Sequence, residues 1–510
     1  MARPIWPKIS SRFVSSMLAG HSALGLLFAA LIYIVCLSGS VLVLAHEIDR
    51  WENPDAPIVR EVETSALVTA AENGMQKALE AGTHDYVSVT TAADGHPNFS
   101  VRFADFQTGL DETFMLNEAG EIVGPRHDGF GHFLEHLHFY LHLPQTIGLF
   151  VVGLIGVALL SSVWSGVFSH PRIFKDAFKF RRGGSKRLEE ADLHNRLSVW
   201  GLPFHIIVSL TGAVLGLATL VLGILALAAF DGDMNKAGEV IGGPSVAHDE
   251  TPAEVPDIGI MIDGLLAEHP EAKLARLGIR QFGTLGQTVQ LDLAKARDLT
   301  ITDRHIFDTN GTYLGSRGFS DGSLGNQVIG ASGALHFGWF SEGWVAGLIK
   351  AAYVILGFAL TFITSSGVAI WIARRQDKGK PVPGWEKAWT ATVWGQPFAL
   401  ATVAIAALAG LSAAALPLYL LACLAALSAG FFVSRLMLSR ALRALTAGLV
   451  VGVVLLHFVR FGLMPTDSAA LVLNLGLLCL SAMLALTIEP VRKALRVSGG
   501  ETRNVQQAAE

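Results

Sequence analysis

The sequence predicts an all-α polytopic membrane protein with about eight transmembrane helices and two small α+β domains inserted between the first four. Three observations support this fold class. Of the 510 residues, 51% are hydrophobic and 16% are charged, whereas soluble domains carry about a quarter charged residues. Eight apolar segments reach the length of about 20 residues that a bilayer crossing needs. Two long polar segments separate the first span from the second and the third from the fourth.

The eight apolar segments are the candidate transmembrane helices. Their approximate limits are 17–45, 143–168, 199–229, 344–373, 392–414, 417–434, 444–463 and 468–488. Basic residues precede the first segment, as they would in a signal peptide, but its apolar run is about twice as long as that of a signal peptide. We therefore expect the first segment to remain as an uncleaved membrane anchor.

The distribution of Lys and Arg predicts that both termini are cytoplasmic. With the N-terminus inside, the cytoplasmic segments hold 23 of the 38 Lys and Arg residues. The two polar segments that then lie outside, 46–131 and 230–335, together hold 13. Because basic loops stay on the cytoplasmic side of a membrane, this contrast favours the N-in, C-in topology.

The topology divides the chain into eight parts. They are the N-terminus with the first span (1–45), the first outside domain (46–131), the second span with a basic loop and the third span (132–229), the second outside domain (230–335), the fourth span (336–376), a cytoplasmic linker (377–391), a C-terminal module of four spans (392–490) and a cytoplasmic tail (491–510).

Both outside segments are predicted to fold as a helix packed on a short antiparallel sheet. The predicted elements of the first are a helix at 64–80, strands at 86–90, 99–103 and 113–116, and a turn at 117–120. Those of the second are a helix at 255–268, strands at 275–280, 288–293 and 305–308, and a turn at 308–311. Neither segment contains a catalytic triad pattern, a zinc-protease motif or a nucleotide-binding glycine loop.

The first four spans form an internal repeat built around four histidines. His21 in the first span and His194 in the third are each followed by a hydroxyl residue 17 positions later and a glycine 18 positions later. The second and fourth spans open near His138 and His336 and close with a Ser-Gly pair. The glycines of these pairs are Gly39, Gly166, Gly212 and Gly367. The two units have the same orientation, which indicates a pseudo-twofold axis along the membrane normal.

The predicted depths of the histidines suggest two cofactors. His21 and His194 fall at the cytoplasmic ends of their spans, and His138 and His336 fall at the outer ends. At 1.5 Å per helical residue, the two levels should be roughly 20–30 Å apart. Two imidazoles at each level can supply both axial ligands of one b-type haem. The glycines reach the same levels, where a missing side chain leaves room for a flat macrocycle.

The register of these ligands stays open at this stage. The stretch 132–142 contains four histidines, so His136 and His142 are alternatives to His138, and His205 is an alternative to His194. Histidines four residues apart share a helix face. They could therefore hold a divalent metal, with Glu135 or Asp128 as a further ligand. His457, near Arg460, lies outside the repeat and is more typical of a packed or pore-lining residue.

Cysteine content and charge exclude several other classes. The cysteines are Cys36, Cys423 and Cys479, and all three lie in apolar runs. A disulfide framework, a covalently attached c-type haem and a cysteine-ligated iron–sulfur cluster are therefore excluded. The net charge of −5 gives no sign of a nucleic-acid partner.

The motifs Gly20-His-Ser-Ala-Leu-Gly25, Asp192-Leu-His194 and Leu335-His-Phe-Gly338, with the Ser/Thr-Gly pairs, resemble those of the PepSY-associated transmembrane family. The resemblance covers about residues 10–376, and the two outside domains look like PepSY modules. Members include iron-regulated proteins of the bacterial inner membrane and dihaem ferric-siderophore reductases. The resemblance implies two haem b groups, held by His21, His138, His194 and His336, and two periplasmic domains. Residues after about 390 depart from the four-span pattern.

The function implied by the resemblance is electron transfer from the cytoplasmic side, or from quinol, to a periplasmic acceptor such as a ferric siderophore. The electron donor is then a separate molecule. Trp339, Phe340 and Tyr140 are candidates to lie near the outer haem. Two other functions are kept as alternatives. One is a non-redox transporter or metal-handling membrane protein, and the other is a regulator whose PepSY-like domains bind a periplasmic protease.

Overall fold

The structure of the chain is a computed structural model. It describes residues 10–92, 98–170, 172–178, 186–295, 302–318, 322, 324–339, 343–463 and 467–488. The expected cytoplasmic tail at 491–510 lies outside these ranges.

The described residues form a helical bundle with one sheet-containing domain. The helices are α1 (Ser11–Leu27), α2 (Ala29–Leu42), α3 (Ala45–Glu52), α4 (Thr64–Glu80), α5 (Phe130–Tyr140), α6 (Gln145–Ser169), α7 (Ile173–Asp176), α8 (Lys186–Trp200), α9 (Leu202–Gly216), α10 (Ala218–Ala229), α11 (Met234–Gly242), α12 (Ile258–Glu268), α13 (Leu324–Phe337), α14 (Gly343–Asp377), α15 (Pro383–Leu408), α16 (Ala415–Phe432), α17 (Arg435–Phe461) and α18 (Ser468–Leu486). The strands are β1 (Tyr86–Thr90), β2 (Ser100–Asp105), β3 (Leu110–Leu116), β4 (Ile122–Pro125), β5 (Ala272–Arg280), β6 (Thr288–Lys295), β7 (Asp303–Phe307) and β8 (Tyr313–Arg317).

Six of the described helices are long and apolar enough to cross a membrane, and two bent helix pairs raise the number to eight. The six are α6 and α14–α18, if the short 3₁₀ turn Ser412–Ala414 is counted with α16. The pairs are α1 with α2 and α8 with α9. Their apolar side chains can face lipid. Each helix also pairs its own backbone N–H and C=O groups, which is the requirement for crossing lipid. The chain is therefore a multi-pass membrane protein.

The predicted first and third spans differ from the structure, because both are broken. α1 and α2 meet at Phe28 with a bend of 70°, and α8 and α9 meet at Gly201 with a bend of 71°. A straight rise of 1.5 Å per residue therefore does not apply across these joints. For that reason, the expected separation of the two histidine levels, which assumed straight helices, does not hold. The first unit nevertheless packs like the second, since α1 contacts α6 as α8 contacts α14.

The histidine-bearing starts of the predicted second and fourth spans are separate short helices. His138 lies in α5, which ends where Leu141 and His142 adopt left-handed backbone conformations, with φ of 55° and 54°. α6 begins directly after Pro144. His336 lies in α13, which ends before Gly338, also at positive φ. α5 packs on α2, and α13 packs on α9.

The sheet has eight strands in the order β4-β3-β2-β1-β5-β6-β7-β8, and every neighbouring pair is antiparallel. α4 and α12 lie against each other over one face. Alternate strand residues, such as Val87, Phe103, Leu277 and Leu291, enter the core beneath them. The turns expected at 117–120 and 308–311 connect β3 to β4 and β7 to β8.

The two predicted outside domains are joined into a single sheet. β1 of the first half pairs with β5 of the second, and Val87 faces Ile279 across the junction. This pairing satisfies the backbone groups that each half would otherwise expose along one edge. The pseudo-twofold axis that relates the two units therefore passes through the middle of the sheet, between β1 and β5.

Candidate functional site: two facing histidine pairs

His138 and His336 face each other across the boundary between the two repeat units. Their ring centroids lie 6.1 Å apart, and the ring planes are inclined by 28°. The helices that carry them, α5 and α13, each pack on the bent span of their own unit. We call these two residues the sheet-side pair, because α5 and α13 are the first helices after the last strand of each half.

His21 and His194 form a second pair, which we call the distal pair. Their ring centroids lie 6.4 Å apart, and the rings are nearly perpendicular at 80°. His21 belongs to α1 and His194 to α8, the first segments of the two broken spans. The repeat thus brings together one histidine of each unit at both places.

The Nδ1 atoms of the sheet-side pair contact equivalent groups in the two units. His138 Nδ1 lies 3.0 Å from the Val35 carbonyl oxygen and 3.3 Å from Ser38 Oγ. His336 Nδ1 lies 3.0 Å from Thr211 Oγ1, and this ring also bonds the Val208 carbonyl. Both hydroxyls donate their own proton to a carbonyl one turn earlier in the helix, so their oxygens accept.

The distal pair repeats this arrangement. His21 Nδ1 lies 2.9 Å from the Ser162 carbonyl oxygen. His194 Nδ1 lies 3.0 Å from Ser366 Oγ, and its ring also bonds the Ile363 carbonyl. A carbonyl oxygen can only accept, so Nδ1 of His21 and His138 must carry the proton. The Thr211 and Ser366 hydroxyls already donate to helix carbonyls, so their oxygens accept from Nδ1 of His336 and His194. The lone pair is therefore left on Nε2, the nitrogen available to bind a metal.

Each glycine of the repeat packs against one of these rings. The distance from a hypothetical Cβ to Cε1 of the nearest histidine is 2.5 Å for Gly39 at His138, 3.0 Å for Gly212 at His336, 3.2 Å for Gly166 at His21 and 3.4 Å for Gly367 at His194. The described neighbour of every glycine is thus an imidazole. The expected contact of these glycines with a macrocycle stays a prediction.

The sheet-side pair also opens onto a cavity. It has a volume of about 320 Å³, and its wall includes both histidines, Gly39 and Gly212. Most of the other lining side chains are apolar and come from α2, α6, α9 and α14. An apolar cavity with few convergent polar groups is typical of cofactor and ligand sites.

The spacing of the rings fits a metal held between them. A metal at about 2 Å from one nitrogen of each imidazole places the ring centres about 6 Å apart. Both pairs have this spacing, Nδ1 contacts with carbonyl or hydroxyl oxygens, and adjacent glycines. The ring spacing at both pairs is compatible with an iron ligated by two imidazoles, and at the sheet-side pair an apolar cavity adjoins the rings.

The alternative ligands lie elsewhere. The His136 ring contacts those of His132 and His142, with centroids 3.8 and 5.6 Å away. Burial, and then the charges of these two neighbours, lower the pKa of His136 to about 4. His205 is buried against Gly201, four residues earlier in the chain, and the structure brings His194 to His21. His457 is bonded to Trp51 and Asn474 and lies outside both pairs.

The metal alternative finds little support in the cluster at 128–142. His132 pairs with Asp128 at 3.4 Å, and His142 Nε2 bonds the Phe133 carbonyl oxygen at 3.1 Å. In the part of the chain that the structure describes, no three His, Cys, Asp or Glu side chains come together as a metal site would require.

Of the aromatic candidates, Trp339 lines the cavity and stacks on His46 with centroids 5.1 Å apart. Tyr140 packs on His136 at 4.7 Å, and Phe340 lies outside the described residues. Tyr353 was not anticipated. It lines the cavity, and its hydroxyl donates to the Leu335 carbonyl oxygen at 2.6 Å, immediately before His336.

Glu52 is another residue at the site that sequence reasoning missed. Its carboxylate accepts from the backbone N–H groups of Gly129, Phe130 and Gly131 at 3.2, 2.6 and 2.9 Å. These are free donors at the start of α5, so Glu52 caps the helix that carries His138. Burial raises the pKa of Glu52 to about 7 against the lowering effect of these bonds. The capped N–H groups lie 77 or more residues from Glu52 in the chain, so no local sequence motif predicts this cap.

Comparison with known proteins gives a family match over the region that contains both histidine pairs. The model of the PepSY-associated TM region matches residues 18–374. The uncharacterized protein PA4219 of Pseudomonas aeruginosa is 29% identical over 249 residues, which are 47% of this chain and 62% of the relative. The chain thus matches less than two thirds of that relative's length. Helices α15–α18 lie beyond the region matched by the family model.

Proposed function

Because the chain belongs to the PepSY-associated transmembrane family, whose model covers residues 18–374, we propose that it is a dihaem b electron-transfer protein of the bacterial inner membrane. The sheet-side pair and the distal pair would each hold one haem. A haem with two histidine ligands supplies reversible one-electron chemistry at its iron. The acceptor in this proposal is a periplasmic iron chelate, such as a ferric siderophore.

One observation carries the proposal. All four histidines of the repeat use Nδ1 to bond a carbonyl or hydroxyl oxygen of a neighbouring helix. Such a bond fixes the ring orientation and makes Nε2 a stronger metal ligand. Each of the four rings also packs against a glycine of the repeat. Four interfacial histidines with no shared role would not be expected to repeat both the Nδ1 bond and the glycine contact at equivalent positions.

The direction of electron flow follows from the predicted topology. The N-in, C-in orientation puts the sheet-containing domain in the periplasm and the distal pair toward the cytoplasm. Electrons would enter near His21 and His194 from a cytoplasmic flavoprotein or from quinol. They would leave near His138 and His336, where α5 and α13 lead into the sheet. Adding one electron converts Fe(III) in the chelate to Fe(II), which hard oxygen ligands hold less tightly.

The first test is the visible spectrum of the full chain, purified in detergent from cells supplied with haem. We expect b-type bands in the reduced protein and a haem content of two per chain by pyridine haemochrome assay. Replacing His138 or His336 with Ala should remove one haem and leave the other. His136→Ala serves as a matched control on the same helix as His138 and should keep both.

Three results would contradict the proposal. One is a haem-free wild type, which would favour the metal-handling or protease-regulating alternatives. Another is a full haem content in both His138→Ala and His336→Ala. A third is haem lost in His205→Gln but kept in His194→Ala, which would replace the assigned distal ligand. Mixing the reduced protein with a ferric-siderophore in the absence of oxygen then tests the acceptor, because reoxidation of the haem bands should accompany formation of Fe(II).

A further inference from the structure

The C-terminal helices are attached to the first repeat unit by buried polar contacts. We propose that α15–α18 brace the helix that carries His138, and that contacts of α3 with α17 and α18 set the position of that histidine. The role of His138 as a haem ligand rests on the proposed function. The bracing of α5 does not.

A closed triangle of hydrogen bonds joins α3, α17 and α18. Trp51 Nε1 donates to Asn474 Oδ1 at 2.9 Å, and Asn474 Nδ2 donates to His457 Nδ1 at 3.1 Å. His457 Nε2 then donates to the Trp51 carbonyl oxygen at 2.9 Å. The Trp51 and His457 rings also stack, with centroids 4.9 Å apart and an angle of 15°.

This triangle is fully buried and fully paired. Trp51 is 2% exposed, and both His457 and Asn474 are 0% exposed. A paired polar network in an apolar region favours one arrangement of its helices, since any shift would leave a buried donor or acceptor without a partner. Its geometry therefore restricts how α3 can sit on α17 and α18.

An ion pair adds a second attachment beside the triangle. The Arg50 guanidinium makes two parallel contacts to the Asp467 carboxylate, which is 3% exposed as a residue. Asp467 also accepts from Ala469 N at 2.8 Å and so caps α18. Two parallel N–H···O bonds specify direction as well as distance.

α3 transmits this position to α5. Glu52, next to Trp51, caps the first turn of α5 through three backbone N–H groups. The Asp49 carboxylate pairs with Arg126, which lies between β4 and α5. His138 is therefore held by a helix whose start is bonded to α3.

Apolar packing fixes the other side of α5. Phe133, Leu134 and Leu137 form one buried cluster with residues of α15 and α16. In this cluster, Ala399 and Leu400 come from α15, and Tyr419 comes from α16. The C-terminal module thus contacts α5 directly as well as through α3.

The test uses the full chain with Asp467→Asn and, separately, Asn474→Leu. Hydrogen–deuterium exchange is followed by mass spectrometry in α5 and, for comparison, in α13. We expect about tenfold faster exchange in α5 in both variants, because a lost buried polar pair lowers the local opening free energy. Haem bound at the sheet-side pair should also be lost more readily than haem bound at the distal pair.

Ser481→Ala is the matched control. Its hydroxyl donates to the Ala447 carbonyl oxygen between α18 and α17, within the same module. This variant should leave exchange in α5 unchanged. The inference is overturned if α5 keeps wild-type exchange in both test variants, or if α5 and α13 accelerate equally. A haem-free wild type would overturn the proposed function alone, since exchange in α5 still decides whether the brace exists.

Discussion

The closest approach between a glycine and a histidine in the repeat is at Gly39. A Cβ there would lie 2.5 Å from Cε1 of His138, so Gly39→Ala must push the ring away. Such overpacking costs about 1–3 kcal/mol. If the sheet-side pair holds haem as proposed, we expect the variant to lose most of that haem, measured as haem per chain.

Gly367→Ala is the matched control for this prediction. Its Cβ would lie 3.4 Å from Cε1 of His194, an ordinary contact distance. The control should therefore retain two haems. Equal haem loss in both variants would show that the distance to the ring is not what makes the glycine necessary.

The Thr211 hydroxyl allows a test of the Nδ1 bond. Thr211→Val keeps the branched shape but removes the hydroxyl oxygen that accepts from His336 Nδ1, leaving the Val208 carbonyl as the ring's partner. The imidazole then becomes a weaker electron donor, which favours the reduced iron. We expect the midpoint potential of the proposed sheet-side haem to rise in a spectroscopic redox titration.

Ser198→Ala provides the comparison, because the Ser198 hydroxyl bonds the backbone carbonyl of His194 and not its ring. In Ser198→Ala, the proposed distal haem should titrate as in the wild type. A fall in the potential of Thr211→Val, or no change, would contradict the assigned role of the hydroxyl.

At the level of single residues, the repeat predicted which histidines pair with each other, but it did not predict what the glycines contact. Equal spacing to a hydroxyl-glycine pair singled out His21 and His194, and a shared Leu-His-Phe opening with a Ser-Gly close singled out His138 and His336. The contact of each glycine with an imidazole was not accessible from the sequence, because spacing gives position along a helix and not rotation about it. The contact with a macrocycle that the sequence suggested stays a prediction.

The broken spans show where element prediction depends on local signals. The joint between α8 and α9 falls at Gly201, two residues before Pro203, and this combination favours a break. The joint at Phe28 has no such signal, because neither glycine nor proline is adjacent. Helix α4 and strand β1, by contrast, occupy the residues that periodicity predicts.

The cap on α5 should make this element sensitive to pH. The pKa of Glu52 is raised from 4.5 to about 7, so the folded state binds the proton more tightly than the unfolded state. This contribution is fully present below pH 4.5 and is lost as pH rises through about 7. We expect α5 to lose exchange protection between pH 5 and 8, after correction for the intrinsic exchange rate.

Glu52→Gln mimics the protonated carboxyl and should flatten this dependence. Glu52→Ala removes all three acceptor contacts and should leave α5 poorly protected at every pH. If the wild type and Glu52→Gln respond to pH alike, the dependence does not arise from Glu52.

For the whole molecule, the shared sheet predicts that its two halves unfold together. Leu277 is 0% exposed and pairs with Val89 across the junction. A carboxylate buried there without a partner costs at least several kcal/mol. In Leu277→Asp we expect exchange to accelerate in β1 and β2 as well as in β5 and β6.

Leu314→Asp is the comparison at the edge of the sheet. Leu314 lies in β8 and is 37% exposed, so its replacement should leave the first half protected. Acceleration confined to β5–β8 in Leu277→Asp would indicate two independent domains, as the sequence alone suggested.

The assembly of these parts was beyond sequence reasoning for a physical reason. Alternating apolar residues predict a strand but do not identify its partner, so β1 could equally have remained an edge strand. The contact of Trp51 with Asn474 joins residues 423 positions apart. Neither residue type is distinctive in an apolar segment, so the predicted C-terminal module had no assigned neighbour.

The strand order also has a mechanical consequence. β4 and β8 are the two ends of the sheet, roughly 30 Å apart across seven strand spacings. Each leads to one of the two helices whose imidazoles approach to 6.1 Å. The chain thus runs from two widely separated edges of the sheet to one pair of adjacent imidazoles. A molecule that binds the sheet and changes its curvature would alter the spacing of these imidazoles, and under the proposed function the absorption spectrum of the haem between them would report that binding.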